Sequence, residues 1–181
     1  MGHQDRRGAE GGDMTAKDDT NGEGSGLSRF YERYGLAPAP DGKGALMTRL
    51  PFSFEIDMRL HEAENGVAVL SVPYDKRLVG DPETGVLHGG VITALLDTAC
   101  GWAVMVAPVA LRSTATLDLR IDYMRPATAG EAVFSRAECY RLTRSIGFAR
   151  AVAYHTDPDD PVATAQGTFI LERPTPPGAA Q

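Results

Sequence analysis

Hydrophobic and polar positions recur along the chain with two different periods. Leu27, Phe30, Tyr31, Tyr34 and Leu36 stand at helical spacing, with Ser28 placed to cap and Gly35 to stop, which predicts a short leading helix. After a Pro/Gly loop over 38–44, Phe52, Phe54, Ile56, Met58 and Leu60 alternate with partly polar neighbours. A turn over 62–66 and a return over 67–72 complete a predicted hairpin. A loop over 73–85 opens into an apolar stretch, 86–106, which Pro108 ends. Three strand-like runs follow, 114–124, 132–142 and 146–155, and past a turn at 157–161 comes a last one, 162–171.

The apolar stretch leaves almost no polar face: Val91, Ile92, Leu95, Leu96, Ala99, Cys100, Trp102 and Val104 point all round. A helix of that kind is expected to be buried on every side. One such helix, with strands joined by hairpin-length connections, predicts an α+β fold: a curved antiparallel sheet wrapped around one long central helix. The sequence has no internal repeat. Residues 1–26 form a polar, Gly-rich tail and 173–181 a Pro/Ala/Gly tail, which leaves a single expected domain over 27–172.

Composition narrows the possible functions. A hydrophobic share of 43% suits a globular domain with a real core, and a net charge of -6 offers no general attraction to nucleic acid or anionic membrane. No run reaches the roughly 20 apolar residues of a membrane span, and the first 26 residues lack the hydrophobic middle of a secretory signal. A cytoplasmic protein is expected. Cys100 and Cys139 lack metal or disulfide spacing and read as reduced core thiols. Neither a metal nor a cofactor is expected.

One residue of the apolar helix stands out. Asp97 lies among Leu95, Leu96, Ala99 and Cys100, where an ionised carboxylate costs several kcal/mol in practice unless it is paired, hydrogen-bonded or protonated. It is either satisfied structurally or used. Upstream, His88-Gly89-Gly90 places two free backbone N–H groups where the helix begins, a terminus that favours negative charge and can polarise a carbonyl oxygen. The two glycines equally suit a loop-to-helix hinge.

The segment Gly85-Val-Leu-His88-Gly89-Gly90-Val-Ile-Thr-Ala-Leu-Leu-Asp97-Thr-Ala resembles the signature of hotdog-fold acyl-CoA thioesterases, of the phenylacetate-degradation (PaaI) and 4-hydroxybenzoyl-CoA type. The resemblance extends to Thr116-Leu-Asp-Leu-Arg-Ile-Asp-Tyr-Met-Arg-Pro126 and to the order of elements from Leu27 to Leu171. It implies that the Gly89 N–H polarises the thioester carbonyl, with Gly90 assisting, and that Asp97 activates water or attacks directly. Thr116 would help hold the water, and His88 would orient the loop or the substrate. Pro82 stands where many relatives carry Asn or Gln, so Asp81, Arg77 or nothing fills that role.

Once those roles are assigned, helix geometry constrains the assembly. Eight residues separate Gly89 from Asp97, about 12 Å at about 1.5 Å per residue, too far for one carbonyl group to meet both. The two must come from different subunits of a dimer, or of a dimer of dimers, with helices antiparallel across a two-fold axis. Arg125, Arg141, Arg144 and Ser145, near strand ends and turns, are candidates for CoA phosphates. Trp102, Met105 and Phe148 are candidates for an acyl pocket, while His3, His61 and His155 read as solvated. Two other readings share the fold: a hotdog dehydratase or hydratase, whose Asp-then-His spacing is absent, and a non-catalytic acyl-CoA-binding regulator, which has no need of a buried acid.

Overall fold

The computed structural model describes residues 32–173. Helical residues 32–34 lead into strands β1 (Leu36–Pro38) and β2 (Ala45–Met47), the short helix α1 (Pro51–Glu55), and the hairpin β3 (Arg59–Glu64) and β4 (Val67–Val72). A small ribbon, β5 (Val79–Asp81) with β6 (Val86–Leu87), precedes the long helix α2 (Gly89–Met105). Four long strands complete the chain: β7 (Ser113–Tyr123), β8 (Val133–Leu142), β9 (Ile146–Tyr154) and β10 (Ala163–Glu172).

Eight strands make one antiparallel sheet in the order β1-β2-β3-β4-β8-β9-β10-β7. The sheet curls around α2, which packs against β4, β7, β8, β9 and β10. Leu95, Leu96, Ala99, Cys100, Ala103 and Val104 are buried from the helix; Leu70, Val72, Val133 and Phe169 meet them from the strands. Each fully buried Leu or Val contributes roughly 1.5–3 kcal/mol. Alanines at 137, 149, 151, 153, 163 and 165 keep the strands' inner face shallow, so the helix lies close to the sheet. The layout is the α+β arrangement expected from the sequence, with the four strands after α2 close to their expected limits.

Three local expectations are corrected. The alternation from Phe52 reads as strand, yet Pro51 opens a helical turn and the strand starts only at Arg59. The fixed φ of proline suits the first position of a helix, and the turn puts Ser53 and Ile56 inward while Phe52 and Phe54 stay 64% and 49% exposed. The hairpin turn lies at Asn65-Gly66, both with positive φ, because that pair fits the tight connection between twisted strands. The central helix is not covered all round: Gly90 and Thr93 are exposed and Ala94, Asp97, Thr98 and Gly101 half-buried, one open stripe along α2. The expected leading helix as far as residue 31, the N-terminal tail and all of the C-terminal tail except Arg173 lie outside the described residues. Among the described residues no helix is long and apolar enough to cross a membrane.

Candidate active site

The start of α2 is built by its neighbours. The backbone N–H of His88 donates to the Leu78 carbonyl at 2.8 Å, and Gly80 lies flat against it: a β-carbon there would sit 2.8 Å from the His88 Cα. His88 then caps the helix, its Nδ1 accepting from the Gly90 N–H at 2.9 Å and its carbonyl accepting from Val91 N–H at 2.9 Å. An accepting Nδ1 places the proton of the neutral ring on Nε2. A β-carbon at residue 90 would stand 2.9 Å from that Nδ1, so the cap needs glycine there.

The carbonyl of Gly89 is held as firmly. Tyr123 Oη donates to it at 2.8 Å and Thr93 Oγ1 at 3.2 Å, with the two hydroxyls 2.9 Å apart. The peptide unit between Gly89 and Gly90 is therefore fastened at both its oxygen and its N–H. Among the described residues the Gly89 N–H has no acceptor, and it points from the positive end of a helix. The N–H of Gly90, expected to assist, is taken up by the His88 ring.

Two turns along the helix, Asp97 is half-buried rather than enclosed, and Thr116 Oγ1 donates to its Oδ1 at 2.7 Å. Both line a cavity of about 430 Å³ whose apolar wall includes Tyr34, Trp102, Met105 and Phe169. Cys100, one helix turn from Asp97's neighbour Leu96, is buried, and burial with the Asp97 charge pushes its thiol up to about 12. It stays protonated and supplies no nucleophile. A hollow of about 530 Å³ on the outer face of the sheet is lined by Arg120, Arg136 and Arg150, each already paired, with Asp122, Glu62 and Glu138 respectively.

Thr116 and Tyr123 are seven residues apart, an odd spacing that in a regular strand sends side chains to opposite faces. The ladder with β10 steps from Asp118–Thr168 to Thr116–Phe169, leaving Leu117 as an extra residue in a bulge. That bulge lets one strand support both Asp97 and Gly89.

Other residues singled out in the sequence lie elsewhere. Arg125 grips Asp160, its Nη2 2.8 Å from Oδ2. Arg144 and Ser145 occupy the β8–β9 turn, where their carbonyls accept from Arg173 Nε and the Leu171 N–H. None of the three lines the Asp97 cavity, and neither does Phe148, which packs on Tyr140. Asp81 accepts from Glu83 and Thr84 within its own turn, and Arg77 pairs with Asp75 and Glu55. His155 is buried, against expectation, with Thr128 N–H donating to its Nε2 and its Nδ1 against the Ala132 carbonyl. His61 Nε2 lies 2.7 Å from Ser71 Oγ. Among the described residues no three His, Cys, Asp or Glu side chains gather as metal ligands would.

The sequence reasoning passed over Tyr123, Thr93, Arg33 and Arg49. Thr93 could have been found from its place one turn after Gly89, whereas Tyr123 depends on a bulge that leaves no mark in the pattern.

Residues 84–162, from the ribbon turn through α2 to the end of β9 and just beyond, match the family model for the thioesterase superfamily. A Halobacterium salinarum protein described as a candidate esterase is 33% identical over 127 residues, 65% of this chain and 82% of its own length. This chain belongs to the thioesterase superfamily. Its fold is accordingly the hotdog, and it is a hydrolase of the PaaI type. The medium/long-chain acyl-CoA thioesterase YigI of Escherichia coli is 28% identical over 135 residues, 67% of this chain and 86% of that protein. Among solved structures, the phenylacetic acid degradation protein PaaI of Thermus thermophilus superimposes with a TM-score of 0.57 at 28% identity, covering 66% of this chain and 97% of that one.

Proposed function

We propose that this thioesterase hydrolyses acyl-CoA or aryl-CoA esters in the cytoplasm, at sites shared between two subunits. The observation that carries the reading is the pairing on α2 of an unused amide, Gly89 N–H, with a carboxylate, Asp97, held by Thr116 beside an apolar-walled cavity. The similarity to YigI supports a CoA ester as substrate.

In this mechanism Asp97 Oδ takes a proton from water as the water oxygen attacks the thioester carbon. Negative charge collects on the carbonyl oxygen and meets the Gly89 N–H, a donor of the kind typically contributing about 10²- to 10³-fold to kcat. The C–S bond then breaks, and the CoA thiolate takes the proton from Asp97. General-base help of this sort adds about 10²- to 10⁴-fold. Direct attack by Asp97, through a mixed anhydride that water opens, uses the same groups. Single turnover in ¹⁸O-water distinguishes the two by whether label enters the carboxylate.

Two features support the dimer. β7 is an edge strand of 11 residues, a length that invites pairing with another chain. The open stripe of α2 carries glycine, alanine and threonine, which let a second helix approach closely. An antiparallel partner helix sets the Gly89 of one subunit against the Asp97 of the other.

The test is thiol release from a panel of acyl-CoA and aryl-CoA esters, wild type beside Asp97→Asn. Turnover is expected to fall by at least about 10²-fold in the variant, with ester binding and thermal stability retained. A fully active variant would overturn the mechanism. Absence of hydrolysis by wild type across the panel, with ester binding kept, would favour the acyl-CoA-binding regulator.

A further inference from the structure

We propose that Arg33 and Arg49 form an anion-binding subsite on the Asp97 cavity, which takes an anionic group of the substrate, either a CoA phosphate or a carboxylate at the far end of the acyl group. The inference rests on the reading of Asp97 above and says what sits beside it.

Among the described residues, seven of the twelve arginines are matched to carboxylates. Arg59, Arg77, Arg112, Arg120, Arg125, Arg136 and Arg150 each have an Asp or Glu within 4 Å. Arg33, Arg49, Arg141, Arg144 and Arg173 do not, and of these five only Arg33 and Arg49 line the cavity that holds Asp97. Arg33 stands over the Tyr34 ring, 5.3 Å from its centroid, and donates to the Leu111 carbonyl at 3.4 Å. That leaves most of its five donors unused. The stem of Arg49 lies across Gly35, where a β-carbon would come within 2.2 Å of Arg49 Cγ. Glycine at 35, with φ of +61°, thus makes the bed in which the Arg49 stem rests.

Charge gives these two a purpose. The chain carries a net -6, which repels the polyanionic CoA moiety at long range. Around this cavity the balance reverses: Arg33, Arg49 and Arg112 face a single acid, Asp97. Arg112 is tied to Glu172, so among the described residues the guanidinium groups available at the cavity are the other two. Planar guanidinium forks suit phosphate and carboxylate alike through paired hydrogen bonds. With Tyr34, Trp102 and Met105 forming the wall, the cavity joins an apolar slot to a cationic rim.

The experiment measures kinetics of wild type, Arg33→Gln, Arg49→Gln and the double variant on three esters of one acyl length: the acyl-CoA, the acyl-pantetheine lacking the nucleotide phosphates, and the ω-carboxyacyl-CoA. The double variant is expected to raise KM by about tenfold or more where the recognised anion is present, with kcat nearly unchanged, the size expected for losing charged hydrogen bonds. A loss on both CoA esters but not on the pantetheine ester assigns the phosphates. A loss confined to the ω-carboxyacyl-CoA assigns the acyl carboxylate. Unchanged KM on all three, or an equal change on all three, overturns the subsite. Arg33→Lys and Arg49→Lys, which keep the charge and stems, cover the case in which the glutamine variants misfold, and should retain part of the affinity. Absence of hydrolysis by wild type would defeat the function proposed above. Calorimetric titration of ω-carboxyacyl-CoA, which carries both anions, into wild type and variants would then still decide the subsite, with equal affinities overturning it.

Discussion

At the scale of single residues, the amide and the acid are each prepared by a neighbour. Thr116 fixes one oxygen of Asp97, and both residues line the cavity. Tyr123 acts on Gly89 at one remove: by holding the Gly89 carbonyl it fixes the peptide next to the donor, a positioning role. Tyr123→Phe removes that bond and little else, since the hydroxyl also meets only Thr93 among the described residues. We expect kcat to fall by about tenfold, the equivalent of one net hydrogen bond of about 1.4 kcal/mol, while KM moves less than about twofold. Steady-state kinetics decide it; a rise in KM at constant kcat would make Tyr123 a binding residue instead. Asp97 itself was legible in the sequence because a carboxylate in an apolar run demands a reason. Its half-exposed setting was not, because composition cannot tell a side facing protein from a side kept free for another subunit.

At the scale of elements, the ribbon β5–β6 sets where α2 begins. Gly80 is the contact point, and Gly80→Ala drives a β-carbon into backbone rather than into a side chain that could swing away. The His88–Gly90 cap should shift, and kcat should drop by about tenfold or more with a loss of thermal stability of about 1–3 kcal/mol, the usual size for overpacking. Thermal unfolding together with turnover checks both; a stable variant of normal activity would show that the ribbon yields. The long strands were legible because alternation over nine or more residues has no rival reading. Residues 51–55 misled because Phe52 and Phe54 alternate as in a strand while Pro51 fits a helix start; in so short a run the local backbone preference won.

At the scale of the whole molecule, the proposed sharing of the site predicts complementation. Gly89→Pro deletes the amide while keeping the helix, because proline suits the first helical position and His88, with φ -60° and ψ 134°, already has the conformation a following proline requires. Gly89→Pro and Asp97→Asn should each be nearly inactive alone. Mixed and allowed to exchange subunits, they should recover roughly a quarter of wild-type activity, since half the dimers are mixed and one of their two sites is intact. No recovery despite proven subunit exchange would mean that amide and acid do not act together on one carbonyl across an interface, and would overturn the shared site. The proposed dimer was legible in the spacing of Gly89 and Asp97 once their roles were assigned; the proposed arginine rim was not, because it depends on which surfaces the curled sheet leaves uncovered.

The bulge in β7 has an evolutionary consequence. Deleting one residue from the regular stretch 118–122, with the bulge at Leu117 kept, would change composition little, yet it would put Thr116 and Tyr123 out of phase. One of the two would then turn away from the helix. Deleting Leu117 itself would instead remove the bulge and leave a regular spacing of six, which keeps both side chains on one face. What descent must preserve is the match between the bulge and the spacing of those two positions.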